Sequence, residues 1–165
     1  MSEADNRMCK GNVCGMTDVL VRRASSGDVS QITEIEKVCF PDPWSRDSFC
    51  AQLDVSGVFL VICDGEQVVG YAVMGIASSE AELYNIAVKE EYRGKGLSDA
   101  LFKHTLAAAV EKGVDTVFLE VRESNLRARR FYKKLGFEDI GRRKRYYSHP
   151  TEDAILMRLL LKSEK

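Results

Sequence analysis

Several things that specialised folds depend on are scarce in this chain. Three prolines and 12 glycines in 165 residues are too few for a collagen-like or low-complexity segment. The only histidines, His104 and His149, lie far apart, and the five cysteines are an odd, scattered set. Cys39, Cys50 and Cys63 sit in apolar stretches, where a reduced thiol packs as a small hydrophobe. Cys9 and Cys14 would need two further ligands to close a metal site, so no metal is expected. Such usage fits a reducing cytoplasm better than a disulfide scaffold. No apolar run approaches the roughly 20 residues of a membrane helix. Residues 1–18 lack the apolar stretch of a secretory signal. Excess charge of either sign is missing too: 24 Lys+Arg face 25 Asp+Glu, so net charge argues for neither a nucleic-acid nor a membrane-surface partner.

What remains, 45% hydrophobic and 30% charged residues, is the composition of one soluble globular domain able to bury a core without staples. Residues 1–18 read as a flexible tail and 19–165 as the folded domain. A short β-branched run over 19–23 opens the order. Asp28 or Ser30 then caps a helix carrying Ile32, Ile35 and Cys39. Pro41 and Pro43 break it, and Ser45 caps a second helix. Strands follow over 58–63, 67–76 and 79–88, the first two joined by a turn at Gly65. A helix over 97–112 ends at Gly113, and the strand 116–121 looks apolar on both faces, as under helices on both sides. Ser124 or Asn125 caps a helix carrying Leu126, Ala128, Phe131, Tyr132 and Leu135, with Tyr132 on its apolar side, and a hairpin around His149-Pro150 closes the chain. The order β-α-α-β-β-β-α-β-α-β-β makes a mixed α/β fold.

Two stretches carry chemistry. At Arg93-Gly94-Lys95-Gly96-Leu97-Ser98 a strand hands over to a helix through two glycines. Successive N–H groups and the positive end of the helix suit a pyrophosphate, and Arg93 and Lys95 add full charges. A Walker loop does not fit this spacing, and Asp99 stands where a dinucleotide fingerprint needs its third glycine. A basic turn that merely starts a helix is the plainer alternative. The second stretch is Leu119-Glu120-Val121-Arg122, followed by a helix bearing Tyr132. Strand alternation puts Glu120 on the face of Phe118, where burial would raise its pKa toward that of a general base. A structural ion pair of Glu120 with an arginine, and a core role for Tyr132, stay open beside that.

Asn85-Ile86-Ala87-Val88 followed by the glycine loop resembles the acetyl-CoA signature of the GNAT N-acetyltransferases. The run Leu119-Glu120-Val121-Arg122-Glu123-Ser124-Asn125, then Ala128, Phe131-Tyr132 and Leu135-Gly136-Phe137, is similar to the RimI-like ribosomal-protein-alanine N-acetyltransferases. Phe40-Pro41, Pro43-Trp44-Ser45, Tyr146-Tyr147 and Glu152-Asp153-Ala154-Ile155 extend the likeness across residues 19–161. Ser98 departs from the usual Gly or Ala, and Asp42, between Pro41 and Pro43, would reshape the substrate groove.

The resemblance implies a single-domain GNAT fold: a mixed central sheet with a splayed strand pair and helices on both faces. It implies acetyl-CoA as co-substrate. The main chain of Ile86, Ala87 and Val88 would hold its pantetheine arm. The loop of Arg93, Gly94, Lys95, Gly96, Leu97, Ser98 and Asp99 would cradle its pyrophosphate, with Asn125 hydrogen-bonding the cofactor. Glu120 becomes general base and Tyr132 general acid. Phe40, Trp44, Tyr84, Tyr146 and Tyr147 would line an acceptor groove between the 40–45 loop and the 145–150 hairpin. The expected acceptor is a protein N-terminus, the terminal alanine of a small-subunit ribosomal protein. An α-amine titrates about 2.5 pH units below a lysine, a gap worth roughly 3.5 kcal/mol of deprotonation, which favours an Nα acceptor. Lysine side chains or small amines, and a non-catalytic acetyl-CoA-binding module, are the competing expectations. The basic run Arg142-Arg143-Lys144-Arg145 reads as a solvated strand face, and no RNA contact is inferred from it.

Overall fold

The computed structural model describes residues 9–13 and 16–161, so Cys14 and much of the expected tail lie outside the described residues. The strands are β1 (Cys9–Val13), β2 (Met16–Arg23), β3 (Gly57–Asp64), β4 (Gln67–Ala77), β5 (Glu80–Val88), β6 (Thr116–Arg122), β7 (Glu138–Ser148) and β8 (Thr151–Leu160). The helices are α1 (Val29–Cys39) and α2 (Arg46–Leu53) before β3, α3 (Leu97–Glu111) before β6, and α4 (Leu126–Lys134) before β7. One sheet takes the order β1-β2-β3-β4-β5-β6-β8-β7. Among the described residues only β5 and β6 pair in parallel; the other ladders are antiparallel. β1 falls inside the stretch expected to be tail. Its backbone pairs with β2, a main-chain ladder that needs no apolar alternation to form.

Local chemistry sets the boundaries. Ser45 Oγ accepts from the Ser48 N–H at 3.1 Å to start α2, and Asn125 Oδ1 accepts from the Ala128 N–H at 3.1 Å to start α4. Gly113 (φ 85°) and Gly136 (φ 99°) follow α3 and α4 in the left-handed conformation that ends many helices. The capping role expected of Asp28 or Ser30 is not observed. Asp28 stands at the start of α1, but its carboxylate takes both guanidinium nitrogens of Arg22, at 2.7 and 2.8 Å, and the N–H of Ser25 at 2.8 Å. A nearby cation outcompetes the helix amides for an acceptor.

Two cores flank the sheet. Ile62, Ala72, Met74 and Leu83 face α3 through Leu97, Leu101 and Phe102. Phe59, Val61, Tyr71 and Val73 face α1 and α2 through Ile32, Ile35 and Phe49. Helices therefore cover both faces, but unevenly. β6, expected to be apolar on both sides, buries only Val117, Leu119 and Val121, whereas Thr116, Phe118, Glu120 and Arg122 are half-buried. The main contacts of α1 and α2 are with β3, β4 and β5, which leaves that side of β6 to a cleft. Leu126, in the first turn of α4, is 54% exposed.

The Arg22–Asp28 pair ties the end of β2 to the start of α1. Hydrogen bonding to Arg22 holds the Asp28 carboxyl below its ordinary range. The pair therefore stabilises the fold above the unfolded-state carboxylate pKa, and the contribution is lost as pH falls through the lower folded-state value. Asp28→Asn is expected to cost about 1.5–3 kcal/mol in urea unfolding at neutral pH. The gap from wild type should close in strong acid; a gap independent of pH would contradict this.

Candidate active site

β5 and β6 pair only from Glu80–Thr116 to Leu83–Leu119. Beyond that point β6 continues against β8 as far as Arg122, while β5 follows β4 to Val88. A bulge opposite Val73 and Met74 bends β5 at Tyr84. The strands separate, and a cleft of about 400 Å³ opens between them. It passes through the sheet. Glu120 comes from the face of Phe118, and Phe40 and Trp44 come from the α1–α2 connection on that side. Tyr132 comes from the opposite face, where α4 packs it against Phe131 and Phe137 at ring separations of 5.5 and 5.6 Å. The body of α3 covers that opposite face too, packing Leu97, Leu101 and Phe102 into the same core as Leu119 and Val121.

The cleft brings together Glu120, Tyr132, Ile86 and Asn125 with Phe40, Trp44, Tyr84, Tyr146 and Tyr147. Ala87 and Val88 turn buried side chains into the two cores and leave only main chain to a ligand. Residues 93–99 stand beyond the cleft lining, at the end of β5. Gly94 and Gly96 take φ of 73° and 78° there, and α3 starts immediately afterwards. The charges expected to project are partly committed. Arg93 Nε donates to the Val88 carbonyl at 3.1 Å and a second guanidinium nitrogen reaches Cys39 Sγ at 3.4 Å. Lys95 sits 5.1 Å over the Tyr92 ring, Asp99 accepts from Lys134 at 3.4 Å, and Leu97 is buried. Asn125 spends its side-chain oxygen on the α4 cap.

Glu120 is held among groups the sequence did not join to it. Its carboxylate pairs with Arg143 Nε at 2.9 Å, the arginine ion pair left open above, yet the side chain still borders the cleft. Hydrogen bonding to Glu120, then burial, pushes the Tyr146 phenol up to about 12. Burial, then the charge of Glu120, takes Tyr147 to about 12. Burial, with Tyr147 nearby, lifts Tyr132 well above the ordinary phenol range. All three phenols are protonated donors at neutral pH. A second groove of about 440 Å³, floored by Ile76, Phe118 and Leu156, shares Glu82, Tyr84 and Glu120 with the cleft. Burial, then Glu120, raises the Glu82 carboxyl.

Arg122 and Glu36 are among the cleft residues that escaped the sequence reading. Arg122 binds Asp42 at 3.1 Å, Glu152 at 3.6 Å and the Pro150 carbonyl at 3.0 Å, with its guanidinium 4.3 Å from the Tyr147 ring centre. Asp42 also reaches His149 Nδ1 at 3.3 Å, so the residue expected to reshape the groove ties its two walls together. Arg122 was findable, lying two residues past Glu120 on the same strand face. So was Glu36, which shares the buried stripe Val29, Ile32, Thr33 of α1.

Residues 29–137 match the acetyltransferase (GNAT) family. The chain belongs to that family. A [ribosomal protein bS18]-alanine N-acetyltransferase of Haemophilus influenzae is 33% identical over 84% of this GNAT chain and 96% of its own length. The crystal structure of the ribosomal-protein-S18-alanine N-acetyltransferase from Escherichia coli superposes with a TM-score of 0.82 at 30% identity, covering 89% of this chain and 96% of that one. Ard1 from Thermoplasma volcanium gives 0.83 at 28% identity, over 88% and 99%.

Trp44 is the sole tryptophan, and its ring lies 5.8 Å from Tyr84 across the GNAT cleft wall, so its emission reports that wall. A methyl group on Gly75 would collide with the Tyr84 hydroxyl. Gly75→Ala is expected to displace Tyr84 and shift the Trp44 emission while far-UV circular dichroism stays unchanged. An unaltered emission spectrum would show that the wall is not built on that contact.

Proposed function

We propose that the cleft transfers an acetyl group from acetyl-CoA to a protein N-terminal amine, with the terminal alanine of a small-subunit ribosomal protein as acceptor. The observation that carries this reading is the gap between β5 and β6, which lets Glu120 and Tyr132 reach one space from opposite faces of the sheet. The main-chain edge of Ile86, Ala87 and Val88, unpaired toward β6, fits the amide-bearing arm of acetyl-CoA. The two left-handed glycines and the start of α3 fit its diphosphate, because backbone N–H groups and the helix dipole converge there. Ser98 in place of the usual small residue leaves its N–H to serve. Arg93 acts chiefly by fixing the loop to β5.

The chemistry needs an unprotonated amine. Glu120 accepts its proton, directly or through water, and Tyr132 returns one to the departing thiolate. Main-chain N–H groups on the bent part of β5 stabilise the oxyanion. Phe40, Trp44, Tyr84, Tyr146 and Tyr147 hold the acceptor, and the Asp42–Arg122 bridge limits how wide its entrance is. No metal or covalent enzyme intermediate is invoked. Among the described residues no helix is long and apolar enough to cross a membrane. Cys39, Cys50 and Cys63 are free thiols, a state that suits a cytoplasmic setting.

Mass spectrometry after incubating the chain with acetyl-CoA and defined peptides tests the acceptor. Acetylation of an alanine N-terminus is the expected product. Modification confined to internal lysines would refute the Nα assignment, and no modification of any amine would favour a binding module. Glu120→Gln should bind acetyl-CoA normally and turn over about 10²–10⁴-fold more slowly, with the deficit largest below pH 8. Tyr132→Phe should lower kcat while sparing acceptor affinity; wild-type turnover in either variant removes that residue from the mechanism.

A further inference from the structure

Glu36 is 1% exposed, borders the cleft, and has no part in the mechanism above. Its carboxylate meets three neutral donors from three separate segments. Oε1 accepts from the Trp44 main-chain N–H at 2.9 Å and from the Asn85 side-chain amide at 3.0 Å, and Oε2 accepts from the Tyr71 hydroxyl. None of the ion pairs among the described residues includes it. A buried carboxylate without a cation is costly to keep, and the burial raises its pKa. An apolar side chain would fill the same stripe of α1 at less cost, so the groups it holds together are what it contributes.

Those groups define the two sides of the cleft. Trp44 lies in the irregular stretch after α1, where no helical or strand ladder fixes the main chain. Its ring packs against Phe49 at 5.4 Å and Tyr84 at 5.8 Å, forming the acceptor wall. Asn85 is the first residue past the bend of β5 and directly precedes Ile86 on the strand edge proposed to hold the cofactor. One oxygen atom, Oε1, thus spans both sides. We propose that Glu36 is a positioning residue for acetyl transfer, a clamp that sets the distance between the acceptor wall at Trp44 and the cofactor strand at Asn85. The inference rests on the function proposed above.

Two conservative variants separate reach from charge. Glu36→Asp keeps the charge but, one methylene shorter, cannot reach Trp44 and Asn85 together. Glu36→Gln loses the charge but keeps an oxygen at Oε1, and its amide can donate to the Tyr71 hydroxyl. Glu36→Asp is expected to raise the acceptor KM about tenfold with kcat within about threefold, the pattern of lost substrate binding. Its Trp44 emission should shift as well. Glu36→Gln should stay within about threefold of wild type in KM and match its emission. A general structural role would instead lower thermal stability in both variants without a split between KM and kcat. Wild-type behaviour of Glu36→Asp, or equal impairment of both variants, overturns the clamp. If the wild type acetylates no amine, the proposed function fails, while the emission difference between the two variants still decides the clamp.

Discussion

The parting of β5 from β6 after Leu83 and Leu119 is the constraint on which the rest of the molecule depends. Parallel strands normally stay paired and covered on both faces, because unpaired buried amides are expensive. Here β6 escapes that cost by pairing with β8 along its whole length, and β5 by pairing with β4. Each strand keeps one partner, and the edges that face each other are left without one. A ligand with peptide-like groups can complete the β5 edge, which an intact ladder would forbid. The same gap lets side chains from both faces of the sheet meet, which a continuous sheet also forbids.

Uneven helix cover completes the arrangement. α1 and α2 lie over β3, β4 and β5, so the Phe118–Glu120 side of β6 has no helix above it. That side is closed instead by side chains from the α1–α2 connection and from β7. The connection would be loose by itself, since Pro41 and Pro43 remove donors from it. It is fixed by charge and polarity: Glu36 from beneath, and Arg122 through Asp42 from across the cleft.

Much of this was legible in the sequence because it is written in local signals. Ser45 and Asn125 cap where their residue type says they should, and the glycine positions mark the helix ends and the loop. Glu120 and Tyr132 stand in one cleft with the aromatic residues expected of an acceptor wall. The misses share a cause. β1 is held by a main-chain ladder, to which side-chain periodicity is blind. Asp28 carries the composition of a cap, but Arg22, brought near by the turn between β2 and α1, decides its partner. The one-sided burial of β6 depends on where α1 and α2 stop, and the Glu120–Arg143 pair on the register of β8 between β6 and β7. Apolar alternation reports that a strand has a buried face; it does not report which neighbour covers the other.

The electrostatics of the cleft then follow from a shortage of cations. Among the described residues, Glu36, Asp42, Glu82 and Glu120 line the cleft against Arg122, which is already shared with Asp42 and Glu152, while Arg143 pairs with Glu120 from the neighbouring groove. The remaining polar groups around Glu120 are phenols. Tyr146, carried to about 12 by its hydrogen bond to Glu120 and then by burial, and Tyr147, carried there by burial and then by the charge of Glu120, stay neutral donors throughout the physiological range. A neutral donor steadies a carboxylate without cancelling its charge, whereas a second guanidinium would repel an ammonium group on its way in. Under the proposed transfer this balance matters more than the identity of any one aromatic residue: the cleft must attract a protonated amine, take its proton, and release a neutral amide.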